Sequence, residues 1–310
     1  MNITAKMVKE LRDRTGAGMM ECKKALTETN GDMEAAVIWL RENSDLKADK
    51  KAGRVAAEGT IAAEVSADAK TAAMIEVNIE TDFAARNENF KNYVDKLSKQ
   101  ALVSPAKDVD DFLEEPYITD PSITVGESVR EMVANIGENM MVRRYVKYEA
   151  GDNGLIHAYI HGIGNVGVLI EVKADKEESL ASDELKDLAK NLAMQVAAMN
   201  PRWLRPDDVE ASVIEQEREV LRAQTLNEGR PENIVDKIVE GRIGRFFRDN
   251  TLLEQDYVRE DKMSVADYIK SVGKSLSDDI EIVRYTRFEL GEGIERVEED
   301  FAAEVMSQIK

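Results

Sequence analysis

"GTIAAEVSADAKTAAMIEV" (residues 59–77) lies over "GLIHAYIHGIGNVGVLIEV" (154–172) without a gap, pairing Gly59 with Gly154, Ile61 with Ile156, Ala63 with Ala158, and "IEV" with "IEV". Each copy reads as strand, turn, strand. A second correspondence follows downstream, where "RYVKYE" (144–149) lies over "RYTRFE" (284–289), again with strand alternation. Self-similarity of this kind marks a duplicated unit. The middle of the chain therefore reads as two related subdomains, each a hairpin, then helices, then a returning strand, which is an α+β arrangement built on small antiparallel sheets.

The repeat organises the rest of the chain. Residues 1–54 precede it and read as three short helices with a linker. Val8 and Leu11 give an apolar face, "TGAG" (15–18) breaks the first helix, and "NGD" (30–32) punctuates before "MEAAVIWL". The charged "RENSDLKADKKAG" ending at Gly53 reads as a helical or flexible linker. The first core copy spans 55–150. The second spans 151–205 and 256–290 and is interrupted by 206–255, where two helical patterns meet at "NEGRP", with Gly229 placed to end one helix and Pro231 to open the next. Val235, Val239 and Phe246 on this αα-hairpin suit either a homodimer contact or packing on the chain's own core. Residues 291–310 form a C-terminal module whose Ile294, Val297, Phe301 and Val305 fall on one helical stripe. Between the subdomains, "SPAKDVDDFLEEPYITDPS" (104–122) carries three prolines and many acids and reads as an irregular surface connection.

Composition narrows the function classes. At 310 residues and 43% hydrophobic the chain can bury real cores. No run approaches the roughly 18 apolar residues of a membrane span, and "MNITAKMVKELRDRTG" carries charge where a signal peptide needs an apolar segment. The expectation is a cytoplasmic protein with no membrane contact. Its single cysteine, Cys22, allows no internal disulfide and suits a reducing compartment. A net charge of −19 argues against direct nucleic-acid binding, because phosphate affinity comes from clustered Lys and Arg.

Two motifs invite chemistry that their surroundings exclude. "GIGNVG" (162–167) fits G-x-G-x-x-G, but that phosphate cradle needs a helix N-terminus after the glycines, and here the strand "VLIEV" follows. The repeat overlays these glycines on "ADAKTA" (67–72), a hairpin turn. His157 and His161 are the only histidines; no third ligand of Cys or His type accompanies them. No nucleophile motif accompanies them either, so neither cofactor, metal nor bond-making catalysis is expected.

"NIETDFAARNENF" (78–90) poses a sharper question. Thr81 or Asp82 can cap the helix that follows. Phe83 lies seven residues before Phe90, on the stripe continued by Val94 and Leu97, so spacing leaves it equally suited to the core and to an exposed position.

At this point the sequence resembles the elongation factor Ts family, the guanine nucleotide exchange factors of the translational GTPase elongation factor Tu. The resemblance rests on "KELRDRTGAGMMECKKALTETNGDMEAA", "ETDFAARNENF", "HGIGNVGVL", "VEGRI" and "RFELGEGIERVEEDFAAEV", in the family's order and across nearly the whole chain. It implies an N-terminal domain, a duplicated core, a dimerisation hairpin and a C-terminal module. It further implies that Asp82 and Phe83, flanked by Thr81 and Ala84, intrude beside the Mg²⁺ and phosphate loop of elongation factor Tu, in its GDP-bound and nucleotide-free states. Arg12, Met19 and Met20 match the motif implied to touch the nucleotide-binding domain, and His161 the position implied to meet another domain of the GTPase. Residues 104–122 have no place in the family pattern, and "YVRED" (257–261) matches a contact region only loosely. The rival reading is an acidic scaffold or chaperone-like adaptor that binds proteins through the helical hairpin and leaves nucleotide alone.

Overall fold

The computed structural model describes residues 3–260 and 262–295. Three helices open the chain: α1 (Ala5–Thr15), α2 (Met19–Glu28) and α3 (Met33–Asp49). Thr4 and Asp32 cap α1 and α3 by accepting backbone N–H groups, and Gly16, left-handed at φ 69°, ends α1. Leu11, Cys22, Ala25, Leu26 and Ala36 form their shared interior. The charged stretch after residue 41 is helical as far as Asp49, with Ala48 buried near its end.

The first copy of the core follows. It comprises β1 (Glu58–Val65), β2 (Thr71–Ile79), α4 (Asp82–Ala85), α5 (Glu88–Val103), α6 (Val109–Glu114), β3 (Pro116–Tyr117), β4 (Asp120–Thr124), α7 (Val125–Ile136) and β5 (Met140–Glu149). The second contains β6 (Gly154–His161), β7 (Val166–Ala174), α8 (Glu177–Ala181), α9 (Asp183–Met199), α10 (Ala211–Asn227), α11 (Glu232–Asn250), α12 (Val265–Leu276) and β8 (Ile280–Glu289). The two three-stranded sheets share one topology. Each copy has an antiparallel three-stranded sheet, β1-β2-β5 and β6-β7-β8, with the middle strand interrupted by a register shift at the same glutamate, Glu76 or Glu171.

The two sheets face each other across a seam that repeats its own bonds. Across it, Ile61 N donates to the Gly164 carbonyl and Ile156 N to that of Ala69, both at 2.8 Å; within each copy, Ala150 N donates to Lys70 and Leu290 N to Asn165, again at 2.8 Å. Ile61, Met74 and Tyr148 meet Ile156, Leu169 and Phe288 between the sheets. Arg144 reaches Glu76 and stacks over Phe288 of the other copy, while Arg284 reaches Glu171 and stacks over Tyr148. The outer face of the first sheet is covered by α5, α6 and α7 through Phe90, Val94, Leu97 and Phe112. That of the second is covered by α9 and α12 through Leu185, Leu188, Leu192 and Ile269.

This geometry explains "GIGNVG". Its first glycines lie in the β6–β7 turn, where Gly164 has φ 100° and opposes Ile61. Gly167 lies in β7 close against the facing sheet; a Cβ there would meet Ile61 Cγ2 at 2.5 Å and Met74 Sδ at 2.7 Å. The motif serves a turn and a close sheet contact.

One expectation is corrected. Residues 104–122 are ordered structure, not an irregular surface connection. Asp108 caps α6, and Phe112 is fully buried and stacked on Tyr145 at 5.1 Å. Tyr117 and Ile123 on β3 and β4 join the same core. The prolines fall at the borders of short elements, and the acids line outer faces while every few residues an apolar side chain turns inward. Val235 and Val239 pack within the αα-hairpin against Ile214 and Leu221, and Phe246 lies 6.0 Å from Trp203. Val297, Phe301 and Val305 lie outside the described residues.

Candidate partner-binding site

The first sheet's central strand, β2, leads directly into "ETDFAARN". Thr81 leaves the strand with extended backbone, φ −123° and ψ 152°, and its hydroxyl accepts from Ala84 N at 3.2 Å, which makes Thr81 and not Asp82 the cap of α4. Asp82 therefore begins the helix, where an acid suits the positive end of the helix dipole. It pairs with Arg86 at 3.0 Å, both side chains well solvated, so the pair contributes little to stability. Ala84 faces inward and is buried against the first core.

Phe83 points the other way and is 81% exposed. The seven-residue stripe from Phe90 does not carry back to it because α4 and α5 are separate helices. Asn87 stands between them in extended backbone and caps α5, accepting from Asn89 N at 2.8 Å. Phe90, Val94 and Leu97 thus fill the core while Phe83 stands on a one-turn projection. The hydrophobic effect works against an exposed phenyl ring, by about 1.5–3 kcal/mol relative to a buried one.

The projection is anchored from a distance. Glu138, in the turn between α7 and β5, accepts from Thr81 N at 3.0 Å and from the Thr81 hydroxyl at 2.9 Å. Glu80 answers by accepting from Asn139 N, and Arg54 approaches Glu80 at 3.5 Å. Asn139 Nδ2 donates to the Arg54 carbonyl at 2.7 Å, and Lys51 Nζ donates to the carbonyl of Gly137. The pattern Thr81–Ala84 was legible in the sequence; Glu138 was not, since nothing local links it to Thr81.

The remaining candidates lie on other elements. Arg12 is exposed on α1. Met19 and Met20 open α2 at 46% and 76% exposure, after Gly18, whose lack of a side chain leaves the helix start uncovered. Exposed thioethers of this kind suit an adaptable apolar contact. His161 ends β6, exposed, with Nδ1 2.8 Å from the Tyr159 hydroxyl and Ile163 projecting two residues on.

His157 behaves differently. It is half-buried on the α9 side of β6, and burial, aided by Lys190, pushes its pKa below the ordinary 6.5. At about 3.3 Å per residue along a strand, His157 and His161 stand about 13 Å apart, too far to share one ion. The unfolded chain protonates this histidine at 6.5 and the folded chain only at lower pH, so the unfolded state binds more protons across that window. Stability is accordingly expected to decline as pH falls below 6.5, and His157→Gln should flatten that part of the profile. Denaturation midpoints measured against pH check this; an unchanged slope in the variant would assign the titration elsewhere.

Among the described residues no helix is long and apolar enough to cross a membrane. Comparison with known proteins adds the following. The sequence profile of the family described as Elongation factor TS matches residues 80–292. A protein named elongation factor Ts from Clostridium tetani is 51% identical over 308 residues, covering 99% of this chain and 100% of that protein. Proteins of the same name from Clostridium novyi (49% over 307 residues, 99% of each chain) and Nitratiruptor sp. (48% over 310 residues, 100% of each) are similar throughout.

Proposed function

Because the chain belongs to the elongation factor Ts family, whose members exchange guanine nucleotide on elongation factor Tu, we propose that it releases GDP from that GTPase by inserting Asp82 and Phe83 beside the Mg²⁺ and phosphate site. The observation that carries this reading is the exposure of Phe83 on a rigidly capped, single-turn projection. A large aromatic held out of its own core gains free energy only when something else covers it, and the adjoining carboxylate biases it toward a site with a cation to compete for.

The mechanism is a coupling, not bond chemistry. If the projection distorts the metal and phosphate site, factor and GDP each lower the other's affinity for the GTPase, because coupling between two ligands is reciprocal. GDP leaves faster, and incoming GTP then displaces the factor. Arg12, Met19, Met20 and His161 supply further contacts in this reading, engaging the GDP-bound and nucleotide-free partner in the cytoplasm. The acidic surface, at a net charge of −19, needs no nucleic acid for the task.

The test is the release rate of a fluorescent GDP analogue from elongation factor Tu with and without this protein. Acceleration at substoichiometric factor supports exchange. Stable complex formation at an unchanged release rate would favour the adaptor reading instead.

A further inference from the structure

We infer that Glu138 is a positioning residue for nucleotide exchange: it fixes the direction in which Phe83 is presented. The inference rests on the wedge reading above and extends it to a residue 57 positions away from Thr81 in sequence.

A helix of four residues has no cooperative stability of its own. Its direction has to be imposed by its cap, and the cap is Thr81. That hydroxyl does two things at once, accepting from Ala84 N at 3.2 Å and donating to Glu138 at 2.9 Å. With its proton committed to the carboxylate, its lone pair is left aimed at the helix N-terminus. The same carboxylate accepts the Thr81 backbone N–H at 3.0 Å, so both the entry and the cap of α4 are set by one side chain. Glu138 is itself half-buried and sits between two residues that are tied to the end of the N-terminal bundle, Gly137 through Lys51 and Asn139 through Arg54. The anchor has little freedom to drift.

The duplicated half supplies a comparison within the chain. In the register of the repeat, Thr81, Asp82 and Phe83 overlay Lys176, Glu177 and Glu178, and Glu138 overlays Asp278. Asp278 accepts from Lys176 N at 3.0 Å and Asp175 N at 3.2 Å, so the hold on the backbone is common to both copies. The second bond is not. Lys176 has no hydroxyl, and α8 begins without a side-chain cap. Asp278 meets α8 at the Ser179 hydroxyl inside the helix and not at its cap; in the first copy the acid holds the capping hydroxyl itself, and there an aromatic occupies the tip.

The experiment measures analogue release from elongation factor Tu against factor concentration for the wild type, Phe83→Ala, Glu138→Gln, Thr81→Val and the Thr81→Val/Glu138→Gln double variant, with a thermal melt of each. Gln preserves volume but turns one acceptor into a donor facing the Thr81 donors. Glu138→Gln is expected to lower the saturating rate about tenfold, about 1.4 kcal/mol of barrier. The half-saturating concentration should stay within about twofold, since the other contacts are intact and only the transition-state interaction is lost. The melting midpoint should stay near that of the wild type, and the double variant should be no slower than Thr81→Val alone, because both substitutions break one link. A saturating rate equal to the wild type overturns the inference, as does a rate loss tracked by an equal loss of melting stability or strict additivity in the double variant. Where Phe83→Ala is slow but Glu138→Gln is not, the positioning role alone fails. If Phe83→Ala exchanges as fast as the wild type, the wedge reading fails and takes the positioning role with it.

Discussion

Replacing Phe83 with Ala is expected to slow stimulated GDP release about 30- to 150-fold while leaving the fold untouched. Aromatic anchors at the centre of an interface typically carry 2 kcal/mol or more, and about 2–3 kcal/mol converts to that range of rates. The folded chain by itself gains almost nothing from the ring, which is 81% exposed. Substitutions at exposed positions usually shift stability by no more than about 0.5 kcal/mol. The two readouts therefore separate: exchange kinetics should collapse and the denaturation midpoint should hold. Asp82→Ala should act in the same direction, since Asp82 pairs with a solvated Arg86 in a contact that α4 does not need. Loss of folding in Phe83→Ala would return the ring to the core and remove the basis of the proposed mechanism.

The second large effect concerns stability. Glu76 is fully buried in the central strand of the first sheet, where its carboxylate meets Arg143 at 3.2 Å, Arg144, and the backbone N–H of Gly291 at 2.8 Å. Truncation to Ala leaves two guanidinium groups and an amide without their acceptor. Breaking a buried pair in this way commonly costs 3–5 kcal/mol, and because both arginines are about a quarter exposed the lower end applies, about 3 kcal/mol. Among the described residues its counterpart Glu171 pairs with Arg284 alone, at 2.6 Å and with the guanidinium nearly half exposed. Glu171→Ala should cost about 1.5 kcal/mol, the low end for a charged hydrogen bond. Urea midpoints of the two variants provide the check. Equal losses, or a greater loss at Glu171, would contradict the view that the first copy's glutamate is the one that also holds the chain after β8.

How far the sequence could be read depended on the range of the interaction concerned. The duplication was legible because "IEV" and the "RY" strands keep their spacing, and strand alternation is a local property. The turn role of "GIGNVG" followed from the strand after it. Phe83 was evenly balanced, because a seven-residue spacing presumes one helix, and the break at Asn87 that defeats it is made by a capping geometry that spacing does not encode. Residues 104–122 were misjudged for a related reason. Proline and acid content describes the outer surface of a segment, whereas Phe112, Tyr117 and Ile123 are drawn inward by a core that β5, α5 and α7 form only once they pack together. Glu138 was invisible for the purest version of that reason, since its partner lies on another element altogether.

The seam between the sheets has one further consequence. Two of its backbone bonds, Ile61 to Gly164 and Ile156 to Ala69, are made by one half of the chain to the other, and residues 150–153 tether the halves together. A short tether keeps each half exposed to the other at about millimolar local concentration whatever the amount of protein in the cell. The surface that supports Phe83 is therefore insensitive to dilution: a scarce factor remains assembled, where the same contacts made between separate chains would come apart.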